Sequence, residues 1–358
     1  MATFKISMIR KMIYGAILFL ILVASVELFA RLTEADTYFQ NRFFVLNRAL
    51  DYPDVFKKDR DLFWRFRSGR TVQSQFFLGQ QYTINSFGLR GPEFSEDKTR
   101  PRLIAIGNSC TFGWGVIEDS IYLRQLETLM DNRYEVINGA IPGYTSLQGK
   151  RFLSDDLIRL EPDIVLVLFA WNDIWAASGG IADSEQQFPP EFVLDLQNCL
   201  ARLHSYRLLK KIVLSTLEEH PDSLFDRANI VYRVPINEFE TNLTEICGTA
   251  NVAGATPVLM TSPIPSLETY YGPHHRSPLH HMHFRYNQII RKVARETGSK
   301  LIDLALAFDE YDDLFDDARN DPIHFNARGH SVAAGLIYRK LGDFTDEQQT
   351  GQDSRSAF

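Results

Sequence analysis

The chain has 358 residues, 45% of them hydrophobic and 23% charged, with 38 lysines and arginines against 45 aspartates and glutamates. That length and composition exclude a small module, a disordered chain and a many-spanning membrane protein, and they predict one large domain with attachments. A formal charge of −7, with Lys5, Arg10 and Lys11 before residue 30 opposed only by Glu27, excludes an electrostatic grip on nucleic acid.

From Met12 to Ala30 the chain reads MIYGAILFLILVASVELFA, nineteen residues broken by one charge, Glu27. As a helix this run would measure roughly 28 Å, close to the hydrocarbon thickness of a bilayer. Basic residues precede it and Glu34 and Asp36 follow, so the positive-inside rule keeps residues 1–11 in the cytoplasm and exports everything later. A cleavable signal peptide with a site near Val23-Ala24-Ser25 is the alternative. The length of the apolar run and the lack of a clean A-x-A site favour an uncleaved anchor over 12–30.

Residues 31–100 are rich in aromatics and hold two runs of strand character, Arg70–Phe77 and Gln81–Asn85, on either side of a turn at Gly79. They predict a small β extension. Beyond Arg102, short β-rich runs alternate with helical stretches: Leu103–Ile106, Tyr134–Ile137, Ile164–Phe169, Pro257–Met260 and Lys300–Ile302. This alternation predicts a three-layer α/β/α domain over 101–345, with a parallel sheet covered by helices on both faces. An insertion without a clear strand spans about 174–237, is helical over Leu194–Leu217, and reads as a cap or partner surface. The polar composition of 346–358 predicts a disordered tail.

Open parallel sheets bind ligands beyond the carboxyl ends of their strands. The segments at those ends are Gly107-Asn108-Ser109-Cys110-Thr111, Asn138-Gly139-Ala140-Ile141-Pro142-Gly143-Tyr144, Ala170-Trp171-Asn172-Asp173 and Thr261-Ser262-Pro263. Ser109 stands where a strand gives way to a turn and then a helix, which presents a hydroxyl at the sheet edge and points backbone N–H groups at developing negative charge. Asp321-Pro322-Ile323-His324 sets a carboxylate and an imidazole three residues apart. If that loop returns to the sheet edge, the imidazole can take the serine proton while the carboxylate fixes its tautomer. Thr111 occupies the place of the second glycine in a Gly-x-Ser-x-Gly elbow, so this is not the α/β-hydrolase elbow.

Taken together and in this order, Gly107-Asn108-Ser109 with Thr111 and Gly113, Asn138 through Gly143, Asn172-Asp173, and Asp321 with His324 resemble the four blocks of the SGNH (GDSL-like) hydrolases. The resemblance implies a flavodoxin-like sandwich and no cofactor. It implies Ser109 as nucleophile, His324 as general base and then acid, and Asp321 as its orienter. The Ser109 and Gly143 N–H groups and the Asn172 side-chain amide would form the oxyanion hole, all neutral donors suited to charge that exists only in the transition state. Asn108 replaces the family's usual aspartate and Ala170 its usual glycine. The stretches Ile84-Asn85-Ser86-Phe87-Gly88-Leu89-Arg90-Gly91 and Val234-Pro235 leading to Asn242-Leu243 resemble a membrane-anchored, exported bacterial subset. For that subset the expected activity is a serine esterase or O-acyltransferase on the periplasmic or extracellular face of the cytoplasmic membrane. Its substrates would be acyl esters, acetyl among them, of an envelope or exported polysaccharide. The rival expectation is a non-catalytic glycan-binding or scaffold subunit with a membrane-protein partner.

Trp114, Tyr144 and Trp171 flank these blocks and are candidates to stack on sugar rings, with core packing as the competing explanation. The cluster His274, His275, His280, His281 and His283 fits no zinc spacing, and Gly272, Pro273 and Pro278 around it predict a loop, so no metal is expected. The acidic group from Asp309 to Asp317 lacks a calcium-loop pattern and reads as a solvated face. Of the three cysteines, Cys110 beside the nucleophile reads as a packed side chain, and Cys199 and Cys247 are the pair an oxidising compartment would allow.

Overall fold

A computed structural model describes residues 8–38, 48–77, 79–217, 230–265, 278–317 and 320–353. The chain divides into two compact units, one of residues 1–60 with 189–220 and the other of residues 61–188 with 221–358.

In the first unit the apolar run forms a single helix, Met8–Thr33, whose apolar side chains stand exposed along its length. Leucine and alanine are strong helix formers, and no proline interrupts the run. Among the described residues it is the one helix long and apolar enough to cross a bilayer. Strand β1 (Phe56–Asp59) belongs to the same unit, as do the helices Glu191–Leu200 and His204–Leu217 from the insertion. The Asn198 amide pairs with both backbone groups of Lys58, accepting from its N–H at 2.6 Å and donating to its carbonyl at 3.0 Å. The helical part of the insertion therefore folds with the N-terminal segment rather than with the domain it interrupts.

The second unit begins with β2 (Phe63–Phe66) and an antiparallel hairpin of β3 (Arg70–Gln73) and β4 (Gln81–Ile84), in register Val72↔Tyr82. Five parallel strands follow: β5 (Arg102–Gly107), β6 (Glu135–Asn138), β7 (Ile164–Leu168), β8 (Thr256–Met260) and β9 (Lys300–Ile302). Their spatial order is β6-β5-β7-β8-β9. Every residue of β5 is buried, as are four of the five in β7, because helices cover both faces; hence their nearly unbroken apolar sequences. Helices Tyr122–Leu129 and Ala327–Asp353 pack together on one side, and Ser146–Phe152, Ile236–Val252 and Pro278–Thr297 form the other group. This is the α/β/α sandwich expected from the alternation of elements.

Buried Ala333, Ala334, Ile337 and Leu341 fix the first turns of the final helix, Ala327–Asp353. One expectation differs from the structure. His280, His281 and His283 lie on the helix Pro278–Thr297 rather than in a loop. Pro278 is the first residue of that helix, where a missing N–H costs nothing and a fixed φ helps. His274 and His275 lie outside the described residues.

Candidate active site

The strand order places β5 between β6 and β7, so the chain leaves β5 toward one neighbour and returns on its other side. That reversal opens a crevice at the carboxyl end of β5, and Ser109 is two residues beyond the strand. Gly107 allows the tight exit, since a Cβ there would lie 2.8 Å from the Leu168 carbonyl oxygen and 2.5 Å from Thr111 Oγ1. Asn108 caps the helical turn Ser109–Phe112, its Oδ1 accepting from the Cys110 N–H at 3.0 Å. Oδ1 alone suffices for the cap, which explains how asparagine serves where aspartate is usual; the Asn108 Nδ2 is buried without a partner. Ser109 is the first residue of this turn, and its N–H has no carbonyl within the helix to bond. The turn ends at Gly113, with φ 88°.

The loop after β9 returns to this point. His324 Nε2 lies 2.8 Å from Ser109 Oγ, and His324 Nδ1 lies 2.7 Å from Asp321 Oδ2. Asp321 Oδ1 accepts from the N–H groups of Ile323 and His324, both at 3.2 Å, which folds the loop so that carboxylate and ring face each other. Burial works to raise the Asp321 pKa, but the hydrogen bonds and charge of His324 outweigh it and hold the carboxyl below its usual range. Cys110 Sγ donates to the Ile323 carbonyl at 3.3 Å, tying the turn that carries Ser109 to the loop that carries His324. Burial pushes its thiol pKa up, so it does not compete as a nucleophile.

On the other side of Ser109 lie the segments that follow β6 and β7. Gly143 has φ 84°, and its carbonyl accepts from Arg233 Nη1 at 2.9 Å. Arg233 is fully buried; it pairs with Asp183 through Nε at 3.2 Å and Nη2 at 2.7 Å, and also donates to Gln148 Oε1 at 3.1 Å. The Asn172 side-chain amide is buried and donates to the Tyr144 carbonyl at 3.1 Å; an amide carries two N–H groups, so this bond uses one. Asp173 accepts from the N–H groups of Ser146 at 2.8 Å and Ala170 at 3.2 Å, closing the turn that presents Asn172. Burial pushes the Asp173 carboxyl up to about 6, against those hydrogen bonds and the charge of Arg233. Ala170 has φ 127°, a region that disfavours any residue with a Cβ, which is why glycine is the usual residue at this place.

Of the three aromatic candidates, only Trp114 stacks on the His324 ring, with centroids 5.7 Å apart. Tyr144 and Trp171 are core residues here. The Tyr144 hydroxyl donates to the Trp64 carbonyl at 2.7 Å, the Trp171 indole N–H donates to the Pro263 carbonyl at 3.3 Å, and both rings are buried. An open groove of about 520 Å³ runs between the segment after Trp114 and the segment after His324, with Val116, Ile117, Asp313 and Asp316 among its walls. The three cysteines are unpaired, with Cys110 and Cys247 buried. Among the described residues no group of three or more histidine, cysteine or acidic side chains is gathered to hold a metal ion.

Two arginines are absent from the candidate site residues read from the sequence, although Arg90 lies in the quoted stretch Ile84–Gly91. Arg233 holds the Gly143 loop, and only its position just before Val234-Pro235 marked it. Arg90, at the end of the β extension, is buried and donates to the carbonyls of Phe112 at 2.9 Å, Gly113 at 2.7 Å and Val116 at 2.7 Å, with Glu118 pairing its Nε at 2.8 Å. The Asn85 side chain accepts from the Phe87 and Leu89 N–H groups and so shapes the turn that delivers Arg90. The β extension thus clamps the chain just beyond the turn Ser109–Phe112, and rings from Phe77 and Tyr82 pack on Phe112 within the same contact.

Comparison with known proteins fixes the class. The model of the GDSL-like lipase/acylhydrolase family matches residues 105–332, and the chain belongs to that family, the SGNH-type hydrolases. Among solved structures it is similar to an α/β hydrolase enzyme from the metagenome of Lake Arreo, Spain, at 20% identity over 69% of this chain and 97% of that one, with a TM-score of 0.45. It is also similar to an acetylxylan esterase from Geobacillus stearothermophilus, at 18% identity over 68% and 94%, with a TM-score of 0.44. A psychrotrophic esterase from a Pseudoalteromonas species matches at 18% identity over 68% and 98%, with a TM-score of 0.43. No curated protein matches the chain.

Proposed function

We propose that the chain is a membrane-anchored serine esterase or O-acyltransferase. Ser109 Oγ attacks the carbonyl carbon of an ester as His324 Nε2 takes its proton, and Asp321 stabilises the imidazolium and fixes the ring tautomer. The carbonyl oxygen becomes an oxyanion held by the N–H groups of Ser109 and Gly143 and the amide of Asn172. Collapse breaks the ester C–O bond, and His324 returns the proton to the leaving alkoxide, which leaves an acyl-Ser109 ester. Water activated by His324 completes hydrolysis; a sugar hydroxyl in its place completes transfer.

The observation that carries this reading is the unbroken chain of hydrogen bonds Asp321–His324–Ser109, at 2.7 and 2.8 Å, between residues 215 positions apart in sequence. A scaffold protein would have no use for that geometry. The apolar helix Met8–Thr33 supports placement at a membrane, with the basic flank inside and the rest of the chain outside. An exported, anchored enzyme of this chemistry has acyl esters of envelope or exported polysaccharide within reach, and acetyl is the acyl group we assign.

The test is full-length protein in detergent, assayed on p-nitrophenyl acetate and on an acetylated polysaccharide. Ser109→Ala is expected to lower kcat by on the order of 10⁶ while leaving the melting curve unchanged. Parental turnover in that variant would remove Ser109 from the mechanism. Topology is read by reporters fused after Arg100, where activity of a reporter that works only in the cytoplasm would reverse the orientation.

A further inference from the structure

The helix His204–Leu217 is built inside out for a water-soluble protein. Its inward face carries charge: Arg207 and Lys211 are only 8% and 5% exposed. Asp36 accepts from Arg207 Nε at 2.7 Å and contacts His204 Nδ1 at 2.9 Å, while Lys211 Nζ reaches the Asp36 carbonyl at 2.9 Å and Asp51 Oδ1 at 2.7 Å. Its outward face is apolar. Leu209 is 63% exposed, and Ile212 and Val213, one turn further on, are exposed beside it. The preceding helix, Glu191–Leu200, buries Leu194 in the ordinary way but also exposes Phe192 at 73% and Leu196 one turn away at 57%, with Glu191 and Asp195 exposed beside them.

The position of this helix explains the inversion. Its N-terminus is fastened to the apolar helix Met8–Thr33: Glu27 accepts from the His204 N–H at 3.2 Å, the Ser205 N–H at 2.8 Å and the Ser205 hydroxyl at 2.7 Å. Glu27 lies six residues before the end of that helix, roughly 9 Å along its axis. The attachment therefore falls within the depth of the apolar stretch, which brings the start of His204–Leu217 alongside the exposed apolar anchor. Charge paired inside and leucine outside is the arrangement expected where the surrounding medium is hydrocarbon.

We propose that helices Glu191–Leu200 and His204–Leu217 lie in the membrane interface beside the anchor, with Phe192, Leu196, Leu209, Ile212 and Val213 immersed in lipid. The inference rests on the reading of Met8–Thr33 as a membrane helix. It gives this unit a second hold on the bilayer, which loses a single covalent anchor's freedom to swing, and it assigns the buried Asp36, Arg207 and Lys211 the task of holding the inverted face outward.

The experiment uses full-length protein in a Cys199→Ser background, reconstituted into vesicles of phosphatidylcholine and phosphatidylglycerol with or without doxyl-labelled lipid. An environment-sensitive fluorophore is placed in turn at Ile21→Cys in the anchor, Leu196→Cys, Leu209→Cys, and the exposed, charged position Lys57→Cys. The expected result is lipid-dependent quenching at Leu196 and Leu209 comparable to that at Ile21, with none at Lys57. Quenching at Ile21 with none at Leu196 and Leu209 would overturn the proposal while leaving the anchor intact; protection of the same two positions from aqueous iodide would then identify a second copy or another protein as what covers them. Loss of quenching at Ile21 as well would overturn the membrane reading itself. Because all labelled side chains are exposed, the variants are expected to fold, and retention of ester hydrolysis checks it.

Discussion

The two flanks of Ser109 are built on opposite principles. On one side, Asp321 is 43% exposed and is held by its own loop, with His324 as its partner. On the other, Arg233, Asp183 and Asp173 are almost wholly buried and pin the segments bearing Gly143 and Asn172 from beneath. The difference follows from what each flank does in the proposed reaction. The proton relay changes charge at every turn, and water near Asp321 lowers the cost of those changes. The oxyanion donors must already point the right way before charge appears, and fixed dipoles in a dry setting do this without reorganising.

Substitutions can break this contrast at either flank. Asp321→Asn leaves the loop in place but removes the carboxylate that fixes the His324 tautomer, and a loss of about 10⁴ in kcat is expected. A loss below tenfold would mean that solvent, not Asp321, orients the ring. Asn172→Ala deletes one oxyanion donor; kcat should fall about 10²- to 10³-fold with little change in KM, whereas a rise in KM at unchanged kcat would assign Asn172 to ground-state binding. Arg233→Ala leaves Asp183 buried without its charged partner, with the Thr145 hydroxyl still donating to it, and should destabilise the fold by about 3–5 kcal/mol, read from chemical denaturation in detergent. The decisive companion is turnover under conditions where the variant is still folded. A drop in kcat with KM unchanged marks Arg233 as a positioning residue for Gly143, and parental kcat would reduce it to a structural one.

The smallest expected effect comes from Ala170. Its φ of 127° is costly for a residue with a Cβ, so Ala170→Gly should stabilise the protein by about 1 kcal/mol, visible as a rise of a few degrees in the melting temperature. A fall instead would show that the alanine methyl group is packed well enough to outweigh the backbone strain.

The strands and the four blocks were legible in the sequence because each is local. Apolar runs such as Leu103–Ile106 and Ile164–Phe169 are bounded by turn residues, and both became strands of the buried sheet. Ser109, Asp321 and His324 carried signals of type and spacing within a few residues. The rest depended on pairing across the chain. Nothing near Arg233 announces Asp183, fifty residues earlier, and nothing near Arg90 announces the carbonyls beyond Ser109. Burial of Tyr144 and Trp171 was equally hidden, since an aromatic beside a site can face the ligand or the core with the same neighbours in sequence. The insertion is the largest case. Leu194–Leu217 read as helical, but its partners Asp36, Asp51 and Glu27 lie more than 150 residues upstream, and its inverted face has meaning only beside the apolar helix.

The most direct test of the assembled nucleophile is covalent labelling of the full-length protein by a fluorophosphonate, with the site mapped by mass spectrometry. A single adduct on Ser109 is expected, absent in Ser109→Ala and formed far more slowly in His324→Ala, where the base 2.8 Å from the hydroxyl is gone. No adduct on the parent protein, or an adduct on another residue that survives Ser109→Ala, would contradict the nucleophile assignment.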